Sequence, residues 1–135
     1  MSGRPRTARL RTAAVCAAVC GLGFGLPAVY APWYFAAHGR VWVFAGFPTY
    51  GEGPFAAIGI PTSVPLLIAF AGVCAAEVGM AVLLWRGRRA GSVLALVLLP
   101  FEFAFWIGFA LPFGPPLGVV RTIAVVLAAR RPTVT

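Results

Sequence analysis

Residues 60–111 decide the fold of this chain, and they read IPTSVPLLIAFAGVCAAEVGMAVLLW (60–85), RGRR (86–89) and AGSVLALVLLPFEFAFWIGFAL (90–111). A basic turn of four residues thus separates two long apolar runs. A helix needs roughly 20 residues to cross a hydrocarbon core about 30 Å thick. The stretch therefore predicts two transmembrane helices joined by a tight turn.

Two further apolar runs flank this helical hairpin. One follows an Arg-rich N-terminus, and the other lies between a Pro-rich turn and the last Arg residues. The sequence therefore predicts an all-α fold, a single membrane domain over residues 1–135 in which four transmembrane helices run up and down. We expect the helices at about residues 12–30, 60–85, 90–111 and 115–130, with a Gly/Pro-rich aromatic loop at about 31–59.

The first apolar run has a second interpretation. Basic residues followed by an apolar run also fit a secretory signal peptide, with a crude cleavage site at residues 28–31. Pro32 adjoins that site and would hinder cleavage. We favour a retained first helix, and the remaining three helices keep their topology in either case.

Composition favours lipid over water as the solvent. Hydrophobic residues make up 61% of the 135 residues and charged residues 10%, against roughly 25% charged in soluble domains. The net charge is +8 and all eleven cations are Arg, which is typical of a GC-rich bacterial genome. Because these Arg residues lie between apolar runs and form no stripe on one face, they do not indicate a nucleic-acid partner.

The placement of Arg predicts the orientation. Four Arg residues precede the first helix, three lie in the turn at 86–89 and two close the chain, whereas the loop at 31–59 holds only Arg40. Short cytoplasmic segments are enriched in Lys and Arg. We therefore expect the inner (plasma) membrane as the location, cytoplasmic N- and C-termini, and an exoplasmic loop between helices one and two.

The predicted exoplasmic loop is rich in aromatic residues, glycine and proline. Gly and Pro at this density mark tight turns. One interpretation is a belt of aromatic side chains at the headgroup level, where Trp and Tyr are enriched. The other is a lid over a cavity between the helices. We favour the belt.

Three ionisable residues fall inside predicted helices: Glu77, Glu102 and Arg121. A rise of about 1.5 Å per residue puts them about 13, 18 and 21 Å above the cytoplasmic edge. A charged side chain at the bilayer centre costs about 2.5–3.5 kcal/mol on insertion scales, so such residues face the interior and pair. We expect one mid-membrane polar cluster, with Arg121 paired to Glu102.

One Arg neutralises one carboxylate, so the second carboxyl either carries a proton or shares the Arg. A carboxyl of this kind could bind or sense a proton, because ionisable groups within membranes are functional by default. The alternative is a structural clamp that fixes helix packing without any ligand. The sequence does not separate the two interpretations.

Pro100 lies two residues before Glu102 and is expected to kink the third helix, because it removes a backbone hydrogen bond. Freed backbone groups at membrane depth are tolerated where they face protein or a water-filled cavity. Together with the aromatic side chains of Phe105 and Trp106, this kink predicts one wall of a pocket beside Glu102.

The sequence carries no enzyme or metal motif. Cys16, Cys20 and Cys74 lie within apolar runs and are expected to be free, buried side chains. The one histidine is His38, and a metal site would need further ligands. We expect no catalytic residue, no metal and no cofactor.

Three segments carry a resemblance to a known family: residues 59–61 (GIP), 76–79 (AEVG) and 83–91 (LLWRGRRAG). They resemble the DoxX-like family of small four-helix membrane proteins, over roughly residues 55–130. The resemblance implies the same helix topology. It also implies, by analogy, a role beside quinone-linked redox chemistry.

Three functional hypotheses follow. The first is a non-enzymatic membrane component that assembles with itself or with a larger membrane complex, and whose polar cluster fixes the packing. The second is a small-molecule or proton-linked carrier with a site at the polar cluster. The third, implied by the resemblance, is an accessory subunit of a quinone-linked redox complex. The lipid bilayer is the expected partner in all three.

Overall fold

Helices account for almost all of the chain in the computed structural model, which describes residues 3–44, 47–48, 50–51, 53–111 and 113–130. The predicted all-α class is therefore confirmed. A two-residue antiparallel ribbon, in which Val43 pairs with Pro48, is the one extended element in these segments. The elements are α1 (Gly3–His38), β1 (Val43–Phe44), β2 (Phe47–Pro48), α2 (Pro54–Ala57), α3 (Val64–Trp85), α4 (Arg89–Gly108) and α5 (Gly114–Ala129).

The first helix, α1, is longer at both ends than the predicted 12–30. It includes the Arg-rich start, because Arg, Ala and Thr side chains on a solvated turn do not oppose a helix. It also continues through Pro27 and Pro32, where the sequence predicted the start of the loop. The helix ends at His38, and the positive φ of 67° at Gly39 is the left-handed conformation typical of the residue after a helix.

Helix α3 begins at Val64, four residues later than predicted. Ser63 has extended backbone angles, and its hydroxyl oxygen accepts a hydrogen bond from the Leu66 N–H at 3.3 Å. Ser63 is thus the N-cap of α3, and Pro65 fits the first turn because its missing N–H is not needed there. The apolar residues before Ser63 lie outside the helix, since apolarity alone does not define a helix start.

Helices α4 and α5 also differ slightly from their predicted bounds. The predicted third helix ran to residue 111, whereas α4 ends at Gly108 and Ala110 has a positive φ of 54°. A side chain at Gly108 would overlap the ring of Phe55, so the loop packs directly on this end of the helix. The fourth helix lies within one residue of its predicted bounds.

The four long helices form a ring. Helix α1 packs between α3 and α5, and α4 lies opposite α1, also between α3 and α5. Three of them, α1, α3 and α4, are long and apolar enough to cross a membrane, and α5 is a shorter apolar helix of 16 residues. Many large apolar side chains point outward, including those of Leu26, Val29, Ile68, Val97 and Ile123. These surfaces indicate a membrane protein.

Two apolar clusters fill the ring. The aliphatic cluster lies at the end that holds the α3–α4 turn, and it includes Leu10, Ala17, Met80, Leu84, Ala95 and Val125. The aromatic cluster lies at the other end, and it includes Phe24, Tyr50, Phe55, Phe70, Phe105 and Phe109. Tyr50 joins the loop to this cluster, because its hydroxyl donates a 2.5 Å hydrogen bond to the carbonyl oxygen of Phe24.

Candidate functional site

The polar cluster lies between the aliphatic and aromatic clusters. Its members are Glu77 of α3, Glu102 of α4 and Arg121 of α5, and all three residues are fully buried. On α3, for example, Phe70 precedes Glu77 and belongs to the aromatic cluster, while Met80 follows it and belongs to the aliphatic cluster. Three of the four long helices thus contribute one charged residue to a single buried layer.

Arg121 and Glu102 form a bidentate ion pair. Nη1 of Arg121 donates to Oε1 of Glu102 at 3.1 Å, and Nη2 donates to Oε2. This two-point geometry matches the planar guanidinium to the carboxylate and is the strongest form of such a pair. The expected pairing between these two residues is therefore present, and it links α4 to α5.

Glu77 belongs to the same polar cluster but is not part of the bidentate ion pair. Its carboxyl lies beside that of Glu102 and close to Arg121. Neither of its oxygens has a hydrogen-bond partner of normal distance and angle among the described residues. Since one guanidinium balances one carboxylate, the cluster is neutral when one proton resides on the two carboxyl groups.

Two donors close to this layer are also unsatisfied. Nε of Arg121 and the indole Nε1 of Trp106 are buried without a hydrogen-bond partner among the described residues. The guanidinium carbon of Arg121 lies 6.0 Å from the centre of the Trp106 ring. Buried polar groups are normally paired, and unpaired groups at one place point to a water, an ion or a functional proton.

The predicted pocket wall of Pro100, Phe105 and Trp106 is not one surface. Pro100 is exposed on the outside of α4, which continues as one helix through it. Phe105 belongs to the aromatic cluster, 5.3 Å from the ring of Phe70. Trp106 faces α5, where its ring lies directly over the backbone of the two glycines Gly114 and Gly118. Successive residues of a helix point about 100° apart, so these three side chains face different neighbours.

The three cysteines are free and buried, with Cys20 and Cys74 close to the carboxyl groups of the polar cluster. Within the described residues, no group of three His, Cys, Asp or Glu side chains could hold a metal ion. His38 lies at the end of α1, where its ring is 4.3 Å from that of Tyr34.

Tyr50 and Phe70 are central to the aromatic cluster, and sequence reasoning missed both. Tyr50 packs edge-on against Phe70 with ring centres 4.7 Å apart. Burial also raises the pKa of the Tyr50 hydroxyl, which stays a hydrogen-bond donor. Its sequence signal is weak, because one tyrosine in an aromatic loop looks like any other belt residue.

The chain matches no family model, no curated protein and no solved structure in the comparisons made. The resemblance to the DoxX-like family therefore stays a prediction that rests on residues 59–61, 76–79 and 83–91. The candidate site is consequently interpreted from its own geometry.

Proposed function

We propose that this protein is a multi-pass membrane protein whose helices α1, α3, α4 and α5 all cross the plasma membrane. Both termini and the α3–α4 turn would then face the cytoplasm, and the loop that follows α1 would be exoplasmic. The apolar outer surfaces support the crossing, and the Arg residues at the ends of the helices support the orientation.

Single-cysteine labelling tests this topology. Ala37 and Ala90 are exposed at opposite ends of the ring, and replacing either with Cys leaves the charge unchanged. In intact cells a membrane-impermeant maleimide is expected to label the Ala37→Cys variant but not the Ala90→Cys variant. In opened cells it is expected to label both variants. The wild-type chain serves as the control, because its three cysteines are buried. The reverse labelling pattern would contradict the orientation.

We further propose a non-enzymatic role in which the polar cluster fixes the helix packing. The observation that carries this proposal is the bidentate Arg121–Glu102 pair, which has no exposed surface and joins two helices. In a dry core, removing one partner of such a pair leaves a buried charge without compensation. Replacing both partners by apolar residues leaves no buried charge and avoids this cost.

A double-mutant cycle tests the packing role. Glu102→Leu and Arg121→Met, made singly in a Glu77→Gln background that removes the second carboxylate near Arg121, are each expected to lower the free energy of unfolding in detergent by about 3–5 kcal/mol. The double variant is expected to recover most of this loss. Unfolding is measured by circular dichroism with denaturant. Additive losses in the double variant would show that the pair does not fix the packing.

A second function, a proton-linked carrier or binding protein, is favoured by one observation: the two unpartnered oxygens of Glu77. A carboxyl held in this way binds or releases a proton in response to a ligand or a conformational change. Infrared difference spectra across a pH step are expected to show a carboxyl C=O band that Glu77→Gln removes. Acidification of dye-loaded proteoliposomes, lost in the same variant, would support transport over packing.

A further inference from the structure

Three arginines surround a groove at the end of the ring that holds the α3–α4 turn. Arg6 comes from α1, Arg89 from the first turn of α4 and Arg130 from the end of α5. The groove has a volume of about 700 Å³. We call it the basic groove, and its walls also include Ser92, Val93, Leu96, Val125, Val126 and Ala129.

The groove has two chemically distinct parts. Its lining combines three arginines and Ser92 with aliphatic side chains from α4 and α5. Val93 and Leu96 are about half exposed, so the apolar part opens outward along the helices. The occupant that fits must therefore be anionic at one end and apolar along its length.

Two arginines at the same end of the ring, outside the groove, have protein partners. Arg9 donates to the carbonyl oxygen of Leu127 at 3.1 Å, and the guanidinium of Arg11 lies 4.7 Å from the centre of the Trp85 ring. Among the described residues, Arg6, Arg89 and Arg130 make no ion pair or side-chain hydrogen bond. The two described carboxyl groups are both buried in the polar cluster, so neither of them balances the positive charge of the groove.

We propose that the basic groove binds an anionic phospholipid, with its phosphate among the three arginines and an acyl chain against the aliphatic walls. Basic pockets between helices at the cytoplasmic side of a membrane are suited to such headgroups. The inference rests on the membrane placement proposed above and is independent of the role of the polar cluster.

Native mass spectrometry of the detergent-purified protein tests the site. Titration with dioleoyl phosphatidylglycerol is expected to show tighter binding of the first lipid than titration with dioleoyl phosphatidylcholine. The variant Arg89→Gln/Arg130→Gln is expected to weaken phosphatidylglycerol binding roughly tenfold or more, because each basic residue near a headgroup contributes to the attraction. The matched control is Arg4→Gln/Arg88→Gln, which removes the same charge at the same end but outside the groove.

A second variant separates a lipid from a free anion. Val93→Trp fills the apolar part of the groove and keeps all three arginines, so it is expected to weaken phosphatidylglycerol binding while leaving inorganic phosphate binding unchanged. Equal binding of both lipids to the wild type, or equal losses in the groove and control variants, would overturn the proposal. So would phosphate competing fully with the lipid while Val93→Trp has no effect. Resistance to alkaline extraction from membranes reports separately on membrane placement.

Discussion

Gly21 lies where α1 packs tightly against α3. A Cβ atom at this position would stand 2.9 Å from Cγ2 of Val78 and 3.0 Å from the carbonyl oxygen of Cys74. Two residues further along the same helix, a Cβ at Gly23 would meet nothing within 4 Å. Small residues allow membrane helices to approach closely, and here only one of the two glycines is used in that way.

We therefore expect Gly21→Ala to destabilise the protein by about 1–3 kcal/mol, because the backbone of α3 cannot move aside cheaply. Gly23→Ala is the matched control, and it should leave stability unchanged or raise it slightly, since Ala favours a helix over Gly. Thermal unfolding in detergent, followed by circular dichroism, compares the two. Equal effects would mean that α1 and α3 are not packed at Gly21.

Tyr50 carries the second prediction at this scale. Its hydroxyl donates to the Phe24 carbonyl, so Tyr50→Phe is expected to cost about 1 kcal/mol and to loosen the loop. Phe70→Leu is a comparison that changes ring packing but not the hydrogen bond. Hydrogen exchange of the loop amides measures the effect. Unchanged exchange in Tyr50→Phe would argue that the loop is held by ring contacts alone.

The hydrogen bond from the Tyr50 hydroxyl to the Phe24 carbonyl should be weakened by high pH. Burial raises the pKa of Tyr50 in the folded state, so folding favours the protonated hydroxyl. The stability that the protonated Tyr50 hydroxyl gives the folded state is fully present below the pKa of an unfolded tyrosine, about 10. This stability is lost as the pH rises above that value. Loop protection should therefore be constant from pH 6 to 9 and fall above pH 10, a fall that Tyr50→Phe abolishes.

The sequence predicts the position of an individual residue when burying its side chain without a partner would cost much free energy. Glu77, Glu102 and Arg121 stand out because a charge inside an apolar run must be compensated, and counting the rise per residue brings them to one layer. Burying Tyr50 or Phe55 carries no such energetic cost, because an aromatic side chain is stable both in a protein core and at a membrane surface. Their placement depends on the path of the loop, which local sequence does not encode.

Helix ends show the same limit at the scale of the element. Helix type and number follow from long apolar runs, but the runs do not mark where helices begin or end. Helix α1 extends through Pro32, and α3 begins only after Ser63, which caps its first turn. Capping and turn geometry set these boundaries, and they are independent of hydropathy.

The α3–α4 hairpin depends on one close contact. A Cβ at Gly91 would stand 2.8 Å from the backbone nitrogen of Leu84, so α4 crosses α3 at van der Waals distance just after the turn. Gly91→Ala is expected to destabilise the hairpin by about 1–3 kcal/mol. Gly79→Ala, on an open face of α3, is the control and should not. Denaturant unfolding of both variants measures the difference, and an unaffected Gly91→Ala would rule out the close crossing.

The whole molecule has a layered order from one end to the other. An aliphatic cluster, a polar cluster and an aromatic cluster follow one another along the ring, and the loop packs on the aromatic end. The polar cluster is thereby sealed on both sides by apolar side chains. Burial among apolar side chains is costly for a charged group, and the bidentate pairing of Arg121 with Glu102 offsets that cost.

The tryptophans give a test of the whole arrangement in a bilayer. Trp85 is half exposed on the outer surface, whereas Trp106 is buried between α4 and α5. In vesicles whose lipids are brominated on the acyl chains near the headgroup, Trp85 should be quenched strongly and Trp106 weakly. Two variants separate the signals without altering Trp106: Trp33→Phe/Trp42→Phe, and the same pair with Trp85→Phe added.

Unbrominated lipids of the same chain length provide the reference intensity. If the triple variant were quenched as strongly as the double variant, Trp106 would be in contact with lipid and the packing of α4 on α5 would be wrong. If neither were quenched, the apolar outer surface would not face hydrocarbon at all. Strong quenching of Trp85 alone is the result expected when lipid covers the outside of the ring and protein fills its inside, because bromine quenches only on contact.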